Sequence, residues 1–145
     1  MPKSSIILGA PIQSGTHQPG CLMGPASLRT AGLPETLRAL GWQVEDRGDL
    51  SIPAQAPQGH ANPAVHHLAE TRAWIDLLVT QAETAAAACD LPIFLGGDHS
   101  MSAGTIPGVA RHARALGRPL YVLWLDAHPD LHSLDTTTSG NLHGT

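Results

Sequence analysis

The sequence predicts an α/β fold built on a mainly parallel sheet, and three observations carry that prediction. Residues 91–95 form a continuous apolar run that stops at Gly96-Gly97, as a strand buried on both faces does. A second run, residues 120–125, follows after a helix-length segment. Strand, helix and strand within about 35 residues make a parallel crossover unit, with both strand ends on one edge of the sheet. Finally, Val65, Leu68, Ala69, Ile75, Leu78 and Ala82 recur at three- and four-residue steps, which gives a long helix one apolar face up to about Cys89.

Each element follows from its punctuation. Residues 5–8 read as a buried strand, ended by Gly9-Ala10-Pro11 and a glycine-rich loop as far as Gly24. Pro25 opens a short helix that Gly32 closes, and Pro34 opens another that ends at Gly41. Residues 42–44 are a second strand, residues 46–62 an irregular connection, and Asn62-Pro63 the cap of the long helix. After Gly97, Ser100 or Ser102 caps a helix that Gly117 ends, with Pro107 kinking it or delaying its start.

The 145 residues suffice for one domain with its own core, and 42% hydrophobic against 14% charged residues is a globular composition. A net charge of −4, a single lysine and five aromatic residues speak against nucleic acid as a partner. Residues 6–8 are too short a run for a signal segment or a membrane span, and Cys21 and Cys89 make no disulfide framework. A cytoplasmic setting with no membrane partner is the expectation. The nine histidines stand out, because three of them fall after position 127.

Asp126-Ala127-His128-Pro129-Asp130 follows directly on the expected strand, and a spacing of two in extended chain turns all three polar side chains to one face. Beyond Arg118 there is no lysine or arginine to balance Asp126, Asp130 and Asp135, so the segment wants a cation. Gly96-Gly97-Asp98-His99-Ser100 brings His99 to the same sheet edge as a further ligand. Carboxylates mixed with imidazoles suit a borderline ion such as Mn²⁺, although ligand type alone leaves zinc open. Standing by itself, Asp-x-His-x-Asp reads equally well as a solvated loop of Asx turns, and Asp98 or Ser100 as a helix cap. His60, His66, His67 and His112 read as surface residues; His17 is within reach of the site, but its spacing does not require a role.

Four motifs in order now resemble one family. They are Gly9-Ala10-Pro11 with Gly24-Pro25 and Leu28-Arg29, then Gly-Gly-Asp-His-Ser at 96–100, Asp-Ala-His-Pro-Asp at 126–130, and Thr-Thr-Thr-Ser-Gly-Asn-Leu-His-Gly at 136–144. Together they resemble the arginase (ureohydrolase) family, and the last resembles arginases proper more than agmatinases. The resemblance implies a three-layer α-β-α fold and a homo-oligomer, trimer or hexamer. It implies a binuclear manganese hydrolase that turns L-arginine into L-ornithine and urea by attack of metal-bound hydroxide. His99, Asp126 and Asp130 would bind one Mn²⁺, and Asp126 and His128 the second. Thr137, Ser139 and Asn141 would hold the amino-acid end of the substrate and His143 would shuttle protons. His132 stands where such arginases usually carry an asparagine that contacts the substrate carboxylate, which opens the choice of guanidino substrate.

The family resemblance also implies a domain about twice this length, with a later paired-aspartate motif that completes both metal sites and a later glutamate for the guanidinium. Residues 1–145 would then be a partial, N-terminal arginase-type domain, incomplete in its C-terminal strands and helices. It would hold one ion or none at reduced affinity and end in an unpaired apolar sheet edge. The alternatives are a catalytically impaired metal-binding remnant or assembly module, and a related ureohydrolase such as agmatinase.

Overall fold

The computed structural model describes residues 3–16 and 18–145; His17 lies outside the described residues. Seven main elements follow one another: strand β1 (Ser4–Ala10), helices α1 (Gly24–Thr30) and α2 (Leu33–Ala39), strand β2 (Gln43–Asp49), helix α3 (Leu68–Ala88), strand β3 (Leu91–Gly96) and helix α4 (Ser102–Ala115). The three strands form one parallel sheet in the order β2-β1-β3, with Ser5 opposite Leu91 and Ala10 opposite Gly96. Among the described residues, no helix is long and apolar enough to cross a membrane.

As the central strand, β1 is buried from Ser5 to Ala10 and apolar from Ile6 onward. Ile6, Leu8 and Ala10, with Ile12 beyond the strand, lie against Trp74, Leu78 and Ala85 of α3, while Ile7 on the opposite face is also fully buried. Both faces are therefore covered, as a parallel sheet requires. α4 lies along α3 at close range because it presents glycines there: a Cβ on Gly104 would stand 2.6 Å from the Leu78 Cβ, and one on Gly108 only 2.4 Å from the Val79 carbonyl oxygen. Gly24 does the same for α1, whose backbone passes so close to the Gly96 carbonyl that no side chain fits.

β2 runs to Asp49, five residues beyond the stretch its apolar character predicted, because an edge strand can be charged. Arg29 of α1 clamps it, with Nε 2.7 Å from Asp46 Oδ2 and Nη2 3.0 Å from Asp46 Oδ1, and with Asp49 bound as well. The guanidinium holds the Asp46 carboxyl below the usual carboxylate range.

Neither Ser100 nor Ser102 caps α4, whose N-cap is Met101, and two larger expectations about the elements fail. Residues 120–125 do not join the sheet; β3 is an edge, and the segment has no strand beside it among the described residues. A strand exists only through its ladder partners, and this run has none among the described residues. Its alternation survives in exposure: Tyr121, Leu123 and Leu125 are more than 80% exposed, Val122 and Trp124 about half. The second failure is the cap of α3, which begins at Leu68 after His67 at φ 55°, not at Asn62. Asn62 instead ties distant loops together. Pro107 is accommodated inside α4.

Replacing Gly108 with alanine is expected to lower stability by about 1–2 kcal/mol in urea denaturation. Overpacking against fixed backbone atoms costs up to about 3 kcal/mol, and the helix propensity gained returns about 1. The Asp46 carboxyl releases its proton more readily in the folded chain than at its ordinary value of 3.8. Its contribution is therefore complete above that value and is lost as pH falls through the lower folded one. Asp46→Asn should weaken the chain at pH 7 and flatten the acid fall in urea midpoint below pH 4, measured against wild type.

Candidate metal centre and substrate cleft

β3 ends in two glycines and delivers Asp98 and His99 at the sheet's C-terminal edge, where open α/β sheets keep their sites. Asp98 is 5% exposed and fully engaged. Its Oδ1 accepts from the Ser100 N–H at 2.9 Å and from the Ser100 hydroxyl, capping the short turn His99–Met101. Its Oδ2 accepts from the Gly15 N–H at 2.8 Å. The capping role read from the sequence is real, and Asp98 also anchors the first loop.

That loop passes the constraint on. The Gly15 carbonyl accepts from the backbone N–H of Leu142 at 2.8 Å and of His143 at 3.0 Å. The His143 ring Nδ1 also lies 2.8 Å from it. A carbonyl only accepts, so Nδ1 carries a proton and Nε2 is left as the atom that gains or loses one. A Cβ at Gly15 would collide with Ser100 and Asp98, so only glycine fits there.

His99 faces two carboxylates: its Nε2 is 3.1 Å from Asp130 Oδ2 and 3.4 Å from Asp126 Oδ2. One ligand atom from each of the three lies within 4.8 Å of the others, the spacing of a shared cation. His99 Nε2 and Asp130 Oδ2 are buried and neither makes a hydrogen bond. They sit at ion-pair distance, yet not in line for N–H···O. Buried polar atoms left in this way mark a site for a bound group or a functional role. Trp124 packs edge-on to the His99 ring at 4.8 Å between centroids, and so fixes its plane.

The 126–130 segment is a turn and not extended chain, which corrects the period-two argument. Asp126 Oδ1 accepts from the His128 N–H at 2.9 Å, an Asx turn, and Asp130 sits at φ 45°. Asp126 and Asp130 thereby meet at His99, whereas the His128 side chain is 81% exposed, its Nδ1 3.7 Å from Asp126 Oδ1. His128 thus lines the cleft but stays outside the three-residue cluster. The His128 N–H, helped by the charge of His99, holds the Asp126 carboxyl below its usual range.

A cleft of about 560 Å³ opens over this cluster. His132, Thr137, Ser139, Asn141 and His143 line it together with the cluster and His128, so every site residue read from the sequence reaches one cavity. Within it, Thr137 is buried and its hydroxyl accepts from the Gly140 N–H at 3.2 Å, bracing the turn. The Ser139 hydroxyl accepts from the Asn141 N–H at 3.3 Å. Gly140 takes φ 74° and lies against the Ala64 carbonyl, which excludes any side chain.

Sequence reasoning missed the segment that braces this turn. Asn62 Nδ2 donates to the carbonyls of Leu134 and Thr137, both at 2.9 Å, and His66 Nε2 meets Asn141 Oδ1 at 3.2 Å. His66 was expected on the surface; it is half-buried against the cleft. Nothing in its spacing could have signalled this, since its partner lies 75 residues away.

Comparison with known proteins agrees with this geometry. A family model described as "Arginase family" matches residues 3–145. An arginase of Agrobacterium fabrum is 56% identical over 99% of this chain and 44% of its own length. An arginase of Brucella melitensis is 52% identical over 96% of this chain and 45% of its own. The crystal structure of an arginase from Bacillus cereus superposes with a TM-score of 0.82 at 33% identity, covering 98% of this chain and 45% of that one. The chain thus spans under half the length of these relatives. Across that span the family match is continuous, and the chain belongs to the arginase family.

Proposed function

We propose that residues 1–145 form a partial arginase-type domain that carries the recognition loop and one metal-binding edge of a hydrolase converting L-arginine to L-ornithine and urea. The observation that carries this reading is the convergence of His99, Asp126 and Asp130 on one point, with a buried imidazole nitrogen and a buried carboxylate oxygen both without hydrogen bonds. The donor set, one imidazole and two carboxylates, fits a borderline divalent cation such as Mn²⁺. Once bound, such an ion supplies Lewis acidity and lowers the pKa of coordinated water from about 15.7 towards neutrality.

The chain's own groups then divide the remaining work. His99, Asp126 and Asp130 hold the ion, with His128 beside Asp126 as a ligand for a second one. His132, Thr137, Ser139 and Asn141 bind the amino-acid end of the substrate, which leaves its guanidinium directed at the carboxylates. The Gly15 carbonyl holds His143 Nδ1–H, so His143 Nε2 is the atom that delivers a proton to the departing amine. An amine is a poor leaving group until its nitrogen is protonated as the C–N bond breaks, and an imidazole near neutral pH is suited to supply that proton.

A second reading has an observation of its own. Three donors gather and His128 stands 81% exposed, which also describes a metal-binding module without turnover. Incubation with Mn²⁺, followed by metal counting and urea assay, separates the two. The proposal expects at least one ion per chain and urea from L-arginine in preference to agmatine; bound metal without urea from either compound leaves the module. Asp130→Ala should abolish metal retention. His143→Ala should keep the metal and reduce urea release by a factor of about 10² to 10⁴, the range for losing a general acid; metal loss in that variant would make His143 a ligand or a structural residue.

A further inference from the structure

Gly15 needs its missing side chain, and that need has a cost in freedom. A Cβ there would stand 2.7 Å from Ser100 Oγ and 2.9 Å from Asp98 Oδ1. Glycine is also the residue whose backbone is least restricted by its own sterics, so the direction of its carbonyl has to be set by bonds from elsewhere. Asp98 supplies them. Its N–H donates to the Ile12 carbonyl at 2.8 Å and its Oδ2 accepts from the Gly15 N–H at 2.8 Å, so the first loop is held at Ile12 and again at Gly15. Between these points Ser14 Oγ accepts from Thr71 Oγ1 of α3 at 2.9 Å. The other Asp98 oxygen is taken by Ser100, so the buried carboxylate cannot turn without losing a bond.

The Gly15 carbonyl placed in this way accepts from the N–H groups of Leu142 and His143 and from His143 Nδ1–H. A neutral ring held there carries its proton on Nδ1 and offers Nε2 as an acceptor. When the ring is charged the same Nδ1–H bond is kept, and only Nε2 has changed. Asp98 does not itself line the cleft, whereas His143 does. The link from one to the other runs through the Gly15 backbone.

We propose that Asp98 is a positioning residue for His143: by pinning Gly15 it holds the ring in its Nδ1–H form and keeps Nε2 for proton delivery. The inference rests on the proton-delivery role given to His143 above, while the ring state it predicts can be read without turnover.

Two variants separate this role from the cap. Asp98→Ser keeps a side-chain oxygen for the Ser100 N–H, as a serine N-cap does, but is too short to reach the Gly15 N–H. Ser100→Ala removes the hydroxyl from Oδ1 and leaves the bond from Gly15 to Oδ2. Nitrogen-15 NMR of the full, metal-free chain at alkaline pH reads the His143 tautomer. Wild type and Ser100→Ala are expected to show Nδ1–H, and Asp98→Ser a mixture containing Nε2–H. An Nε2–H ring in wild type, or an unchanged Nδ1–H ring in Asp98→Ser, overturns the proposal. Should Asp98→Ser not fold, wild type decides through the scalar coupling between the Gly15 amide nitrogen and the Asp98 carboxylate carbon: its presence with an Nδ1–H ring supports the link, and the absence of either overturns it. With Mn²⁺ bound and counted, Asp98→Ser should lower kcat for urea release by about 10- to 10²-fold, the effect of a small misplacement, with KM for L-arginine within about twofold. Ser100→Ala should keep both. An equal fall in the two variants, or metal loss as the sole change in Asp98→Ser, overturns the proposal. If wild type releases no urea, the functional reading fails on its own account and the ring tautomers still decide this one.

Discussion

One buried carboxylate organises this molecule's chemistry. Asp98 sits just past β3 with both oxygens satisfied by protein donors, and through Gly15 it binds the segment after β1 to Leu142 and His143. Three parts of the chain, separated by more than 80 residues at the first link, meet at that point. A buried carboxylate without these donors would be unfavourable by several kcal/mol, so the loop geometry and the charge depend on each other. Gly15 is required for the same reason, because any side chain there would occupy the space that Asp98 and Ser100 need.

From that anchor the cleft is built as two opposed halves. On one side His99, held in plane by Trp124, meets Asp126 and Asp130, which are brought round by an Asx turn and a left-handed residue. On the other side the 137–141 turn presents hydroxyls and an amide, braced from beneath by Asn62 and His66. Asp126 and Asp130 thus supply the cavity's negative charge, and the 137–141 turn supplies neutral hydrogen-bonding groups.

The parts of this design that a sequence reader can see are those written in local signals. The apolar run of β1, the glycine stop after β3, the prolines that open α1 and α2, and the Asp-x-His-x-Asp spacing all announce themselves within a few residues. The group His99, Asp126 and Asp130 was legible because its members follow apolar runs, only the first of which is a strand, even though the extended geometry assumed for 126–130 is in fact a turn. Residues 120–125 carry the signature of a buried strand but have no ladder neighbour, and periodicity reports a side chain's preference, not its partner. The length of β2 was hidden by its charge, and the start of α3 by Asn62, whose amide serves loops more than 70 residues away. His66 was invisible for the same reason: its role is defined only by what folds against it.

Whether His99, Asp126 and Asp130 hold one divalent cation is the question on which the functional account turns. Anomalous diffraction at the manganese edge, from crystals grown with Mn²⁺, answers it directly. The account predicts a peak within bonding distance of His99 Nε2 and of one carboxylate oxygen from each aspartate. Crystals without a peak there, or with the His99 ring rotated away from both carboxylates, would contradict it.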